Sequence, residues 1–320
     1  FEKSQAENDK LTALEESVLE DKETETLVND DVEEEEKLDE KEIPLLAQHL
    51  VLENPYVDKA MVWYTREILE LSIPDTYEEM MDMKGYDNDA WVNYSLALQH
   101  EYRCHLRMGT FELVAASEMH PHEKLIKTKL IFDVKLTEVN GEIAIERYKA
   151  RLTAKGFSQE KGVNYNEVFA PVVSYDSLKI MVAAAVLEKQ VAEAFDFVTA
   201  FLQAEMHERV FMAVPPGFVD FIMHDLPEDT EQDKKLKAAY RLQYNKAWRL
   251  GGGKIVCRLR RAIPGLKQAS KCWYDRIVKF LKKEKFKPCP QEPCVFFRMF
   301  RGKKQRLSLL VDDGMIYGED

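Results

Sequence analysis

Two adjacent aspartates, Asp312 and Asp313, interrupt an apolar run in the stretch RLSLLVDDGMIYGED. Side by side on a buried strand they would repel each other and lose hydration, so their chemistry calls for a partner. Asp196 is the strongest candidate for a third carboxylate, since it ends the apolar stretch EAFDFVTAF between Phe195 and Phe197. It lies 116 residues before Asp312, far enough to occupy a neighbouring strand. Three carboxylates converging on one sheet edge are unfavourable without cations. Mg2+ suits such a site, taking one or two carboxylates together with waters and phosphates. Two such ions about 3.5–4 Å apart stabilise both oxygens of an in-line phosphoryl displacement. Taken singly, Asp196 is more simply a turn former or helix cap, and V-D-D-G is an ordinary turn between strands. The combination, with a βαβ pattern between its members, points to a metal site.

The elements that would hold these groups follow from periodicity. TYEEMMDMKGYDNDAWVNYSLALQHEYRCHLRMG predicts two helices, with Trp91, Leu96, Leu98 and Tyr102 as apolar positions. TFELVAAS predicts a strand, and residues 124–157 two strands joined at Asn140-Gly141, a strong hairpin signal. In the second of these, Arg147, Lys149 and Arg151 alternate with Tyr148, Ala150 and Leu152, which puts three cations on one face. Spacing alone favours a solvated surface over an anion clamp. YDSLKIMVAAAVLEKQ predicts a core helix through Leu178, Met181, Val182, Ala185 and Val186, capped by Asp176. Then come a strand ending at Asp196, a short helix and a strand in ERVFMAVPPGF. Residues 219–253 are expected to be a charged surface loop with some helix. A strand, a Pro264-Gly265 turn and an amphipathic helix follow. In that helix Trp273, Ile277, Phe280 and Leu281 face inward, and Lys279, Lys282, Lys283 and Lys285 face out. Three short strands close the chain. The order fits an α+β fold with an antiparallel sheet and helices on one face.

Bulk properties set the bounds. The 320 residues, 45% hydrophobic, suffice for a sizeable core in one or two domains. The net charge of −12 is uneven: residues 1–42 hold 18 acidic and 5 basic side chains, and the remainder is near neutral. An acidic arm over residues 1–45, expected to be disordered, therefore accounts for the acidity, and the body alone does not argue against nucleic-acid binding. The five cysteines form no paired framework and no zinc-ligand spacing, which favours free thiols in a reducing compartment. No signal peptide or membrane span is expected, and a first residue of Phe1 suggests a piece of a longer polyprotein.

Over residues 75–320 an ordered series of motifs resembles the reverse transcriptase domain of copia-type long-terminal-repeat retrotransposons. The series comprises ERYKARLTAKGFSQEKGVNYNEVFAPV, FDFVTAFLQAEMHERVFMAVPPGF, VCRLRRAIPGLKQASKCWY, EPCVFF and LLVDDGMIYG. A series of this kind is far more specific than a lone short motif. The resemblance implies a right-hand polymerase with fingers and a ferredoxin-like palm. It implies a helical lead-in and the start of the fingers over residues 46–120, and fingers and palm over residues 121–320. It also implies two-metal nucleotidyl transfer from a deoxynucleoside triphosphate to a primer 3′-hydroxyl on an RNA or DNA template, with Mg2+ or Mn2+. Asp196, Asp312 and Asp313 match the metal-binding carboxylates, with the Phe197 carbonyl as a further ligand. Phe201 matches an aromatic that excludes a 2′-hydroxyl, although core packing explains it equally well. Lys149 and Arg151 match a strand that grips the triphosphate, which raises the anion-clamp reading. Gln268 matches a position against the incoming nucleotide. The implied setting is a Gag-Pol polyprotein, in cytoplasmic virus-like particles or the nucleus, without a membrane.

The chain departs from the family pattern at Leu310, Pro264, Ser270 and Phe197-Val198. No thumb or RNase H segment is recognised after Asp320, so a C-terminally truncated domain of weak activity is expected. The alternatives are a decayed copy that keeps the fold without catalysis, and an interaction protein acting through its acidic arm.

Overall fold

Thr76 caps the first helix, α1 (Tyr77–Asp82), by accepting from the Glu79 amide, and Asp87 caps α2 (Asn88–Met108) through the Ala90 amide. Tyr94, Leu98, Tyr102 and Leu106 recur every fourth residue of α2 and are buried. Leu96, expected to join them, is 42% exposed because it lies off that stripe. The computed structural model describes residues 72–139 and 142–319, within a unit spanning Glu70–Asp320. The acidic arm, the first part of the lead-in and the Asn140-Gly141 turn lie outside the described residues.

Strand β1 (Phe111–Ala115) follows α2, and after β2 (Leu125–Ile126) come the long strands β3 (Thr128–Val139) and β4 (Glu142–Ala154). The last two pair antiparallel, with a bulge between Lys135 and Leu136. Their apolar face buries Leu130, Phe132, Val134 and Leu152. Tyr94 of α2 meets Phe132 and Tyr148 edge-on there, at 5.6 and 4.8 Å between ring centroids.

Helix α3 (Tyr175–Leu187) is capped by Ser174, which accepts from the Ser177 amide, rather than by Asp176. It is not the core helix that its periodicity suggests. Only Met181 and Ala185 are buried, while Val186 is 72% exposed. The helix rests a narrow stripe against its neighbours and leaves its other apolar side chains outside.

Next come β5 (Val191–Asp196), the two-residue β6 (Phe211–Met212) and α4 (Phe218–Met223). The segment expected as a surface loop with some helix is more helical than that, forming the 20-residue helix α5 (Glu231–Leu250). Thr230 and Asp233 make a reciprocal capping box at its start. The first half of the buried face of α5 is charged, with Asp233 and Lys237 inside ahead of Tyr240 and Ala247. Lys237 has no solvent exposure. It donates to Asp229 Oδ2 at 2.5 Å and to the His224 carbonyl at 2.9 Å, and lies 4.1 Å from the Phe221 ring centre. Arg103 of α2 reaches the same Asp229 at 3.0 Å, and Arg107 grips Asp233 with two bonds of 2.8 and 2.7 Å.

Strand β7 (Ile255–Leu259) precedes the Pro264-Gly265 turn and α6 (Ala269–Lys283). Trp273, Ile277 and Leu281 face inward as expected, whereas Phe280 is 45% exposed. The chain closes with β8 (Lys287–Pro288), β9 (Val295–Phe300), β10 (Lys303–Leu310) and β11 (Asp313–Gly318). The result is an α+β fold with three described sheets. One has the order β5-β11-β10-β9-β8 and is antiparallel throughout. The second, β1-β7-β6-β2, contains a parallel pair, β2 with β6, that the antiparallel expectation did not include. The β3–β4 hairpin is the third.

Candidate active site

Asp196 and Asp313 are direct cross-strand partners, at the end of β5 and the start of β11. Residues paired in this way share a face of the sheet, so the fold brings the distant carboxylate to the closing pair. Asp312 belongs to the turn between β10 and β11, and its carbonyl accepts from the Phe197 amide at 2.9 Å. That bond carries the pairing one step past Asp196. The acids do not lie on a buried strand: Asp196 and Asp313 are exposed and Asp312 is half-buried. Partial burial, the neighbouring charges of Asp312 and Asp196, and a hydrogen bond with Asp196 hold the Asp313 carboxyl above the usual aspartate range. Carboxylates set close together raise one another in this way. Among the described residues, no group of three or more His, Cys, Asp or Glu side chains is arranged to hold a metal ion.

Both aspartate segments carry backbone in an unfavourable region. Val311, directly before Asp312, has φ +57°, and Thr199, three residues after Asp196, has φ +54°. Both are β-branched, and this conformation is a genuine outlier for such residues. Trp273 holds the first of them. Its indole Nε1–H donates to the Val311 carbonyl at 2.6 Å. The same ring packs edge-on against Phe197, with centroids 5.1 Å apart. One buried side chain of α6 therefore touches Phe197, next to Asp196, and Val311, next to Asp312. Sequence reasoning placed Trp273 in the core but missed this role, because nothing in the pattern marks Val311 as left-handed. At Gly314 a Cβ would stand 2.3 Å from Phe195 Cζ, so the Phe195 ring lies over a position that has no side chain.

The cationic face lies on the β3–β4 hairpin. Arg147 and Arg151 are exposed and Lys149 is half-buried. Lys149 pairs across with Asp133, and Arg147 with Lys135. Partial burial and then Arg147 push the Lys149 ammonium below its ordinary value, with Asp133 opposing. The end of β4 is fastened to the Pro264-Gly265 turn by a 2.8 Å bond from the Ala154 amide to the Pro264 carbonyl. Gly265 has φ +87°, and a Cβ there would stand 2.2 Å from the Ala154 carbonyl oxygen. Gln268 follows that turn. It is 1% exposed, accepts from Gln159 Nε2 at 2.9 Å and donates to the Asn164 carbonyl at 2.8 Å. Its side chain is thus occupied within the protein, and Gln159 and Asn164 are the partners that sequence reasoning missed. Phe201 sits half-buried against the core in the short helical segment Ala200–Gln203.

A family model described as "Reverse transcriptase (RNA-dependent DNA polymerase)" matches residues 109–320. The chain belongs to the reverse transcriptase family. The domain is 33% identical over 227 residues to the Retrovirus-related Pol polyprotein from transposon TNT 1-94 of Nicotiana tabacum, covering 70% of this chain and 14% of that relative. It is 30% identical over 250 residues to the corresponding polyprotein from transposon RE2 of Arabidopsis thaliana, covering 78% of this chain and 15% of the relative. Transposon RE1 of the same plant gives 29% identity over 253 residues, covering 79% of this chain and 15% of the relative. The reverse transcriptase domain is thus related to copia-type retrotransposon Pol polyproteins and spans about a seventh of their length. No solved structure matches it. Among the described residues, no helix is long and apolar enough to cross a membrane.

Proposed function

We propose that this reverse transcriptase domain carries out RNA-directed DNA synthesis, extending a primer 3′-hydroxyl with deoxynucleoside triphosphates on an RNA or DNA template. The register that pairs Asp196 with Asp313, next to Asp312, is the observation that carries the proposal. The five-stranded sheet then serves as the palm, and the β3–β4 hairpin belongs to the fingers. Asp196, Asp312 and Asp313 are a hard oxygen donor set, and the raised Asp313 carboxyl is what a divalent cation would relieve. The three carboxylates are not arranged as a ready metal site, and they would have to converge further, with the Phe197 carbonyl, to hold two Mg2+ ions. Such ions, when bound, sharpen the attacking hydroxyl and carry charge on the departing pyrophosphate. Lys149 and Arg151 draw in the triphosphate through the cationic face, Arg by bidentate contact and Lys as a point charge. Phe201 borders the sugar. Gln268, with its side chain tied down, acts by shaping the turn against which the nucleotide rests. Template and primer are held through phosphates with little base readout.

Primer extension on poly-rA with an oligo-dT primer tests this, in Mg2+ and then Mn2+, beside an Asp312→Asn, Asp313→Asn double variant. Metal-dependent extension that the variant lacks is the expected result. No extension from folded protein would favour the second reading, a polymerase fold without catalysis. Leu310 bears on that choice, because it replaces the family's tyrosine directly across from Asp313 and is 42% exposed.

A further inference from the structure

Residues 234–261, from the first turn of α5 to just past β7, hold ten basic side chains and no acidic one. Five of the ten are engaged within the protein. Lys234, Lys237, Arg241 and Arg260 pair with Glu231, Asp229, Asp225 and Glu112, and Arg261 donates to the Met108 and Gln203 carbonyls. Among the described residues no carboxylate pairs with the other five, Lys235, Lys246, Arg249, Lys254 and Arg258. Two aromatic rings stand among these cations, one helical turn apart. Tyr244 and Trp248 stack with centroids 5.8 Å apart and planes 23° from parallel. Trp248 also rests against the glycine turn that ends α5, since a Cβ at Gly253 would lie 3.5 Å from its Cζ2. Even so, Trp248 is 51% exposed. We propose that this end of α5 binds single-stranded nucleic acid, with a base stacked on the Tyr244–Trp248 pair and phosphates on Arg249 and Lys254.

The rings and the cations together select the ligand. Tyr244 and Gly253 hold the indole in place, so a base that stacks on it finds a ring whose rotamer freedom is already spent. Stacking of this kind accepts any base, because each has a π face. Arg249 adjoins Trp248 in the helix, and Lys254 follows the glycine that touches its ring, so a ligand carrying an anion beside each ring uses both kinds of group. An acidic peptide would leave the rings uncovered, and an uncharged aromatic would leave the cations unpaired. A duplex keeps its bases inside its own stack, so an unpaired strand is the form that offers both.

This surface is separate from the aspartates. Helix α5 packs on β1 and β7, in a different sheet from the one that carries Asp196 and Asp313. Binding here needs neither metal nor nucleoside triphosphate, and does not depend on polymerase activity.

Tryptophan emission from the full chain, titrated with an oligouridylate of about 12 nucleotides in the absence of Mg2+ and dNTP, tests the site. The chain has four tryptophans, so the share of quenching due to Trp248 is the difference between the parent and Trp248→Phe. That share is expected to saturate. Its half-saturation concentration is expected to rise about sevenfold from about 50 to about 200 mM salt, as two phosphate contacts at a slope of about −0.7 each require. The Arg249→Ala, Lys254→Ala double variant is expected to bind more weakly and to lose that salt response. Polyglutamate of the same length is expected to leave the emission unchanged. Quenching that is identical in Trp248→Phe, or equal with polyglutamate, would overturn the stacking site. A salt response retained in the double variant would overturn the phosphate contacts.

Discussion

Trp273→Phe removes the indole N–H together with one ring of the side chain and keeps an aromatic six-membered ring in place. The lost bond to the Val311 carbonyl is short, at 2.6 Å, and lies between a side chain 2% exposed and a half-buried residue. A bond of this kind contributes about 1 kcal/mol net. A left-handed conformation costs an L-residue about 1–2 kcal/mol, and most when the side chain is branched at Cβ. The two quantities are similar, so the bond is what keeps Val311 in place. Its removal is expected to lower the equilibrium constant for the native turn about fivefold, the equivalent of 1 kcal/mol. Urea unfolding reports the global loss, expected at about 1–2 kcal/mol once the smaller ring is included. The titration of the Asp313 carboxyl, followed by NMR, reports the local one. That carboxyl is raised by partial burial, Asp312 and Asp196, so a relaxed turn should let it fall toward the ordinary aspartate value. An unchanged Asp313 titration alongside the expected stability loss would refute the reasoning and leave Trp273 a packing residue only.

Three further outcomes follow from the same geometry. Because the folded state raises the Asp313 carboxyl, its ionisation opposes folding as pH climbs from the unfolded value through the folded one. Asp313→Asn should therefore melt slightly higher than the parent at pH 7, by a small margin at so exposed a group, with the advantage gone in strong acid. Gly314→Ala forces a Cβ to 2.3 Å from Phe195 Cζ and 2.7 Å from the Ser308 carbonyl oxygen. A loss of about 1–3 kcal/mol is expected, with faster amide exchange confined to the β5–β11 rungs. Asp233→Asn breaks the bidentate Arg107 pair and the α5 capping box, for a loss of about 2–3 kcal/mol in urea at pH 7. The Arg107 bond and the Thr230 contacts hold the Asp233 carboxyl far below its ordinary value against the cost of burial. The parent's advantage is thus full above about pH 4 and shrinks as acid protonates the folded state, and a gap that persists in strong acid would contradict the assignment.

Much of this domain is written locally. Alternation placed the β3–β4 hairpin and the cationic face, because side chains on a strand sort by parity alone. The three aspartates were visible as acids set in apolar strands, and the order of strands and helices implied that Asp196 could neighbour Asp312 and Asp313. Two kinds of feature were not legible. Charged residues on a buried face blur the apolar period, so α5, with Asp233 and Lys237 inside, read as a surface loop with some helix until Arg103, Arg107 and Asp229 stood beside it. In α3 the apolar period was present, but only a narrow stripe found something to pack against. The left-handed Val311 and the Trp273 bond that maintains it also arise only in three dimensions. Their partners are 38 residues apart, and the conformation of one is set by a hydrogen bond from the other. Sequence determined which groups are available for chemistry. The register between β5 and β11, with Trp273 touching both ends, decided how they meet, since cross-strand contacts depend on packing that local propensity does not encode.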